Sequence, residues 1–394
     1  MLLQGQTGEP AVPPTWPPFE GMMKACDASL LGYAAAHHSF SGAAPPGASE
    51  WLRSQQPPPL TLRGTLLVAP DDGGVGNVMR VLAQYAVLGV LLQRAVYFEL
   101  SETLREQFLP FLSSPLLSWV PPVGSRANPE ELHEVFVSKY KGFPQGEHPD
   151  PAFLNKQGSN ATIYYYLRLF ESANLSAHLT APVVRVKTDS SRVLPAILRN
   201  RYLSAQTPAL RHNRHSFAAC VSHLFLQPSQ RTLGVAQPYL QRLHFPQPYR
   251  VVHLRLGDIF MTNRDPQYYK PAKDQRVRGF HQVNQITTCV AARLKNASGT
   301  FFLATDADSV VPQLRSRFGP QLVLTDGTAI HNRNNALKGK ATWQAAIQKV
   351  WLDFFLLSLG RSLVITGPGR LSSFVEEAFA RNVLQAGARM VRCQ

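Results

Sequence analysis

The sequence predicts an α/β protein made of two domains, each built on a parallel β-sheet. The chain has 394 residues, more than one ordinary compact core requires. Its hydrophobic share of 44% fits packed cores and excludes a wholly disordered chain. Apolar runs alternate with helical patterns in two series, which begin at Thr65 and near Tyr249. We therefore predict domains at residues 61–245 and 246–394, preceded by a leader at residues 1–60.

The leader is rich in Pro, Gly, Ala and Ser, a composition typical of a poorly ordered stem. An arm that packs on the first domain is the alternative. The first residues lack a basic region followed by an apolar run, so they do not resemble a signal peptide. No stretch approaches the apolar length of a membrane span. We expect either a cytoplasmic protein or one whose targeting segment, and any membrane association through it, lies outside this chain.

The first series begins with a short apolar strand at residues 65–69 and a glycine-rich loop at residues 70–77. A helical pattern from residue 78 to about residue 92 and a strand at residues 95–98 follow. A strand, loop, helix and strand in this order are typical of a parallel sheet. Residues 121–151 give no clear pattern. Further helices are predicted at residues 162–169, 218–225 and 230–243.

The second series also alternates strands with helices. The predicted strands are residues 250–255, 300–305, 321–324 and 362–366. The predicted helices are residues 280–294, 309–318, 342–359 and 372–385.

The chain is strongly basic, with 40 Lys and Arg against 25 Asp and Glu and a net charge of +15. This balance favours an anionic substrate or a polyanionic partner, with a merely solvated basic surface as the alternative. The basic residues are scattered rather than clustered with aromatic residues, so we predict no nucleic-acid partner.

The cysteine and histidine patterns predict no metal site. No C-x-x-C pair and no histidine cluster at zinc spacing occurs, although one or two disulfides stay open. The four cysteines are Cys26, Cys220, Cys289 and Cys393. Glycosylation sequons begin at Asn160, Asn174 and Asn296, and they would be used only in the secretory pathway.

Two stretches follow predicted strands and suit phosphate binding. The glycines of the loop at residues 73–77 let backbone N–H groups approach a ligand, or simply make a tight turn. In the stretch from His253 to Asp258, strand alternation puts His253 and Arg255 on one face. The Arg255 guanidinium offers a planar fork to diphosphate oxygens, unless it forms a structural salt bridge with Asp258.

Two later stretches suit the nucleoside and the phosphates. Asp306 directly follows a predicted buried strand, where it accepts hydrogen bonds from a base or ribose or caps the next helix. Asp353 lies among large apolar residues, and a buried carboxylate requires a partner. Ser372 and Ser373 begin a predicted helix, whose N-terminus holds a phosphate or is merely capped by these hydroxyls.

Together, in this order, the four stretches resemble the motifs of the fucosyltransferase superfamily of α1,2-, α1,6-, protein O- and nodulation fucosyltransferases. The likeness covers roughly residues 65–385 and is carried by short motifs. It implies a GT-B-like fold of two Rossmann-like domains facing a cleft. It also implies GDP-fucose as donor, inversion at the sugar carbon, a glycan or glycoprotein acceptor, and no cofactor or obligatory metal. The family and the sequons favour the lumen of the Golgi or endoplasmic reticulum.

The resemblance also implies roles for individual residues. Arg255 takes the place of the essential diphosphate-binding arginine, and His253 that of the histidine that contacts the nucleotide. Asp353 matches the carboxylate that binds guanine. The remaining donor-side positions are Asp306 for the nucleoside and Ser372 and Ser373 for phosphate and ribose. On the acceptor side, Gly74 and Gly76 belong to the glycine-rich motif, and Asn77 lies where some family members place the acceptor hydroxyl.

Three departures from the family pattern stand in this chain. Leu256 occupies the place of a second arginine, and Ala307 interrupts a pair of acidic residues. No general base is evident, and Asp258 and Asp265 are the nearest carboxylates to the arginine motif. We predict a fucosyltransferase; the alternatives are a same-fold enzyme using another nucleotide sugar and a non-catalytic glycan-binding or scaffold protein.

Overall fold

The computed structural model describes residues 26, 28–41, 48–70, 75–114, 116–119, 121, 132–138, 163–188, 193–206, 214–254, 284–285, 287–294, 299–306, 311–327, 341–366 and 389–393. The chain divides into two compact units. Unit 1 comprises Met1–Asp71, Val81–Ser101 and Ser113–Gln227, and unit 2 comprises Asp72–Arg80, Glu102–Leu112 and Pro228–Gln394.

The described residues contain twelve strands. In chain order they are β1 (Thr65–Pro70), β2 (Ala95–Phe98), β3 (Leu112–Ser113), β4 (Leu132–Ser138), β5 (Ile163–Tyr166), β6 (Val183–Thr188), β7 (Gln227–Pro228), β8 (Arg250–Leu254), β9 (Phe301–Thr305), β10 (Leu322–Val323), β11 (Ser362–Thr366) and β12 (Arg389–Cys393). The helices are Ala28–Ser41, Ala48–Ser54, Val75–Leu92, Glu102–Phe108, Leu167–Ser172, Leu175–His178, Leu194–Arg199, Arg201–Gln206, Arg214–Phe225, Gln230–Arg242, Val311–Phe318 and Ala341–Leu359, and residues 287–294 are also helical.

Unit 1 contains a five-stranded parallel sheet in the order β2-β1-β6-β4-β5. The helix Val75–Leu92 connects β1 to β2, as the sequence pattern predicts. Gly89 on this helix lies so close to β2 that an added Cβ would be 1.9 Å from Val96 Cγ2. A larger residue at position 89 would therefore push the helix off the sheet.

The expectation that no stretch approaches the apolar length of a membrane span is wrong for the helix Val75–Leu92, which is long and apolar enough to cross a membrane, with a mean hydropathy of 1.6. A share of 78% of this helix is buried inside the protein. A mostly apolar helix that is covered by its own fold is typical of a protein core, which accounts for both observations.

Unit 2 contains a second five-stranded parallel sheet, in the order β10-β9-β8-β11-β12. The strands β8 and β9 are almost wholly buried, as expected for central strands covered on both faces. A hydrophobic cluster on this sheet includes Val252, Leu303 and Val364, one residue from each of three adjacent strands. The predicted fold class, α/β with two Rossmann-like parallel sheets, is confirmed.

The prediction of a poorly ordered leader is wrong for the helices Ala28–Ser41 and Ala48–Ser54. Leu30 and Tyr33 are completely buried, and the Tyr33 hydroxyl donates a 2.8 Å hydrogen bond to the carbonyl oxygen of Arg94. Cys26 is bonded to Cys220 through a disulfide. These helices match the alternative of an arm packed on the first domain, because small Ala and Gly residues allow a helix to pack closely.

Two helix predictions also need correction. The segment with Tyr164, Tyr165 and Tyr166 forms strand β5 before a short helix begins at Leu167, because aromatic residues suit a pleated strand. The helix after the glycine-rich loop begins at Val75 rather than at residue 78. Gly76 therefore lies within its first turn.

The two units are discontinuous in sequence, unlike the contiguous ranges 61–245 and 246–394. Residues 72–80 and 102–112 group with unit 2, as do residues 228–245. A single sequence shows where elements begin and end, whereas unit membership depends on contacts distant in sequence.

Candidate nucleotide site

The candidate site lies at one edge of the unit 2 sheet, where several parallel strands end. The residue pairing aligns Leu254 of β8 with Thr305 of β9 and with Thr366 of β11. The chain therefore leaves three adjacent strands at the same edge, although these positions are distant in sequence. Ligands of open α/β sheets bind outside the carboxyl ends of the strands.

Two of the predicted residues are well placed at this edge. His253 is the penultimate residue of β8 and pairs with Ala304 and Ile365 on the neighbouring strands. Asp306 directly follows β9. Both side chains belong to the buried polar residues of the chain, which is typical of groups that hold a specific ligand or a structural partner.

Five predicted residues lie outside the described residues: Gly74, Arg255, Asp258, Ser372 and Ser373. In sequence, Arg255 is the first residue after β8, and the two serines follow β11. Their assignment to the site remains a prediction, as does the alternative salt bridge between Arg255 and Asp258.

Gly76 and Asn77 lie in the first turn of the helix Val75–Leu92. Asn77 is exposed, and Gly76 is half-buried. Both belong to the segment that groups with unit 2, the unit that carries His253 and Asp306. The exposed amide of Asn77 thus stands at a helix N-terminus, where backbone N–H groups also point outward.

Asp353 has the buried partner that the sequence analysis requires. Its Oδ2 atom is 2.9 Å from Nζ of Lys349, one helical turn earlier, and the Asp353 side chain is only 9% exposed. The Lys349 ammonium also donates a 2.8 Å hydrogen bond to Oγ1 of Thr325, whose hydroxyl donates to Oδ1 of Asp353. The three side chains form a closed buried network, here called the Lys349–Thr325–Asp353 triad.

Burial raises the pKa of the Asp353 carboxyl, because desolvation disfavours the charged form. The Lys349 charge and the hydrogen bonds from Thr325 and Lys349 act in the opposite direction. Because Lys349 and Thr325 oppose the effect of burial, the charge of Asp353 depends on these two partners.

The triad adjoins the same sheet edge. Thr325 and Asp326 follow β10, which pairs with β9 through Val323 and Phe302. Asp326 is fixed by Tyr239, whose hydroxyl donates to Asp326 Oδ2 at 2.9 Å and accepts from the Asp326 N–H at 3.0 Å. The triad and Asp326 therefore extend the edge beyond β9.

The four sequence motifs do not include Lys349, Thr325, Asp326 or Tyr239. One pattern could have shown Lys349, because Lys and Asp four residues apart on a helix are neighbours. No local pattern joins Thr325 to Asp353 across 28 residues.

Among the described residues, no group of three or more His, Cys, Asp or Glu side chains is arranged to hold a metal ion.

No protein-family model and no curated protein sequence matches the chain. Solved structures do. An arginine-to-lysine mutant of Arabidopsis thaliana FUT1 in complex with GDP matches 90% of this chain and 77% of its own, with 15% identity and a TM-score of 0.53. POFUT1 in complex with GDP matches 85% of this chain and 99% of its own, with 12% identity and a TM-score of 0.45. The NodZ α-1,6-fucosyltransferase co-crystallized with GDP matches 80% and 92%, with 11% identity and a TM-score of 0.41.

Of these three matches, the one to FUT1 has a TM-score above 0.5, and it shows that the two structures share a fold. The GT-B-like fold class predicted from the four motifs is therefore confirmed.

Proposed function

We propose that this protein is a fucosyltransferase that transfers fucose from GDP-fucose to a hydroxyl group of a glycan or a protein. One observation carries the proposal: three of the four motif stretches leave adjacent parallel strands at one sheet edge, with Leu254, Thr305 and Thr366 in register. The fold shared with FUT1, which was solved in complex with GDP, supports the choice of nucleotide.

Arg255 is the proposed diphosphate ligand. As the first residue after β8, it emerges where a parallel strand opens on the ligand crevice. Its guanidinium binds two phosphate oxygens at once and stabilises the negative charge that grows on the diphosphate. Ser372 and Ser373, which follow β11 in sequence, are the proposed further ligands of phosphate and ribose.

The nucleoside is assigned to His253, Asp306 and Asp353. His253 and Asp306 stand at the ends of β8 and β9, and Asp353 adjoins the end of β10 through Thr325. Guanine offers adjacent N–H donors, and a carboxylate is the acceptor that suits them.

In the proposed reaction, the bond between the fucose C1 atom and the β-phosphate oxygen breaks, and its electron pair stays on GDP. The acceptor oxygen bonds to C1 from the opposite face, so the configuration inverts. The acceptor proton passes to a base or to solvent, and Asp258 is our candidate base. Asn77, in the first turn of the helix Val75–Leu92, is our candidate for orienting the acceptor hydroxyl. The scheme uses no metal, because Arg255 supplies the positive charge.

We place the protein in the secretory lumen. Cys26 and Cys220 form a disulfide, and Cys289 is also disulfide-bonded. Disulfides persist in oxidising compartments and are rare in the cytosol. The three sequons are consistent with the same compartment.

The test is a donor-hydrolysis screen with GDP-fucose, other GDP-sugars, UDP-sugars and CMP-sugars. We expect sugar release from GDP-fucose and none from the UDP and CMP donors. Arg255→Ala should lower the rate by about 10²–10³, as loss of one charge-stabilising donor does. Arg199→Ala is the matched control, because Arg199 forms an exposed ion pair with Glu171 in unit 1 and should leave the rate unchanged. Turnover of a UDP- or CMP-sugar in place of GDP-fucose would overturn the proposal.

A further inference from the structure

Lys349 is a buried cation beside the proposed nucleoside site. It is 4% exposed, and its ammonium is bonded to Asp353 at 2.9 Å and to Thr325 at 2.8 Å. Removing a lysine charge from water is costly, so a buried lysine needs a compensating partner. A hydrophobic residue of similar volume would fill this position without that cost. The presence of the charge therefore calls for a role beyond packing.

The described partners of Asp353 leave part of its hydrogen-bonding capacity unused. Lys349 contacts its Oδ2 atom and Thr325 contacts its Oδ1 atom, whereas an ionised carboxylate has about four lone-pair positions. A protonated carboxyl would present a hydroxyl donor in one of these positions. The triad can therefore receive a ligand with adjacent N–H donors only while Asp353 stays ionised.

We infer that Lys349, with Thr325, is a positioning residue that holds Asp353 as an ionised, oriented acceptor and thereby sets the preference for guanine. This inference rests on the proposed function. It deepens that function by assigning base selection to two residues that do not belong to the four sequence motifs. Guanine offers its N1–H and its 2-amino group to one carboxylate, and hypoxanthine lacks the 2-amino group.

The described groups that face Asp353 come from three elements. Lys349 lies on the same helix, Ala341–Leu359, and Thr325 follows β10. Tyr239 of the helix Gln230–Arg242 interacts electrostatically with Asp353 and is bonded to Asp326. Lys349 is the one cation among these described groups, so its removal leaves a buried carboxyl whose pKa burial raises.

The experiment is calorimetric titration of the full chain with GDP and with inosine diphosphate at pH 6, 7 and 8. The ratio of the two affinities reports base selection, and it cancels effects on the shared diphosphate. We expect wild type to prefer GDP by about tenfold or more, as for a hydrogen bond to a charged group, at every pH.

Lys349→Met should weaken this preference more at pH 6 than at pH 8, because burial without the Lys349 charge raises the pKa of the Asp353 carboxyl. The sign follows from a raised pKa, because the accepting form then appears only as the pH rises. Lys349→Arg, which keeps the charge, should restore much of the preference at pH 6. Lys187→Met in unit 1 is the control for net charge, since Lys187 is 44% exposed on its side chain, and it should match wild type.

Thr325→Val is the second variant, for the case in which Lys349→Met does not fold. It keeps the ion pair between Lys349 and Asp353 and should therefore fold. We expect its preference for GDP to fall several-fold. A wild-type affinity ratio in Lys349→Met, or in Thr325→Val where the first variant does not fold, would overturn the inference and leave the proposed function standing. A wild type that binds neither diphosphate would overturn both.

Discussion

The two units each bury a cation, and they compensate it in different ways. In unit 1, the Arg94 guanidinium donates to four backbone carbonyl groups, those of Thr65, Leu179, Ala181 and Pro182. In unit 2, the Lys349 ammonium is held by the side chains of Thr325 and Asp353. Both cations are less than 5% exposed.

We interpret the difference as one between the structural role of Arg94 and the positioning role proposed for Lys349. Arg94 links β1 to the segment before β6 through hydrogen bonds to main-chain carbonyl groups. The five N–H donors of a guanidinium allow it to contact several carbonyl groups at once. A side-chain carboxylate and a hydroxyl at a sheet edge can also serve a ligand. Substitutions at Lys349, His37 and Arg94 test this contrast between the two units.

The largest effect is expected for Lys349→Met in unit 2. Without Lys349, the buried Asp353 carboxyl either carries an uncompensated charge or takes up a proton, and the loss of the ion pair costs about 3–5 kcal/mol of the free energy of unfolding. This loss is measured by chemical denaturation, with unfolding of unit 2 monitored through the hydrogen exchange of its peptides.

The double variant Lys349→Met with Asp353→Leu should recover most of that stability, because both charges are then absent. It should still lack the preference for GDP over inosine diphosphate. A double variant as unstable as the single one would show that the two residues are not coupled, and the contrast between the units would fail.

The second effect concerns His37. Like Arg94, it is a buried basic residue of unit 1 that faces a main-chain carbonyl group. Its Nε2 atom is 3.3 Å from the carbonyl oxygen of Val96. Burial lowers the pKa of His37 from 6.5 to about 4, against the opposing hydrogen bond to Val96. The unfolded state binds the proton below pH 6.5, and the folded state binds it only near pH 4.

The free energy of unfolding of unit 1 should therefore fall by about 3 kcal/mol as the pH is lowered from 6.5 to 4. His37→Gln should remove this part of the pH dependence, whereas replacing the exposed His178 by Gln should leave it in place. Denaturation curves over this pH range decide the matter. Identical pH profiles for wild type and His37→Gln would refute the assignment.

The smallest of the three effects is expected for Arg94→Met. It leaves buried carbonyl groups without their donor, at a cost of about 1–3 kcal/mol. It should not change GDP affinity, because Arg94 lies in unit 1. Arg199→Ala is the surface comparison and should cost less than about 1 kcal/mol, since its ion pair with Glu171 is exposed. Weaker GDP binding by Arg94→Met would contradict a purely structural role.

The sequence predicts five of the strands well. Strands β2 and β11 begin and end at the predicted residues, and β1, β8 and β9 differ by one residue at one end. These strands are short, apolar and bounded by turns or polar residues, so the local pattern suffices. Strands β4 and β6 were not predicted. In β6, charged Arg185 and Lys187 alternate with buried valines and pair with Glu134 on the neighbouring strand, a pattern that makes sense only when the partner strand is known.

The candidate site was predictable to the same degree. Short motifs predict His253 and Asp306 as site residues, and the paired strands bring them to one edge. Asp353 was predictable as a buried carboxylate in need of a partner, but its partner Thr325 lies 28 residues away on another element. Such contacts arise from the fold and leave no local pattern in the sequence.

The proposed function requires that a guanine nucleotide binds at the carboxyl edge of the unit 2 sheet. The most direct test is amide hydrogen exchange of wild type with and without GDP, and with UDP as the comparison nucleotide. We expect GDP, and not UDP, to slow exchange in peptides that span the ends of β8, β9 and β10, and to leave the unit 1 strands β1 and β6 unchanged. Protection confined to unit 1, or equal protection by UDP, would contradict the account.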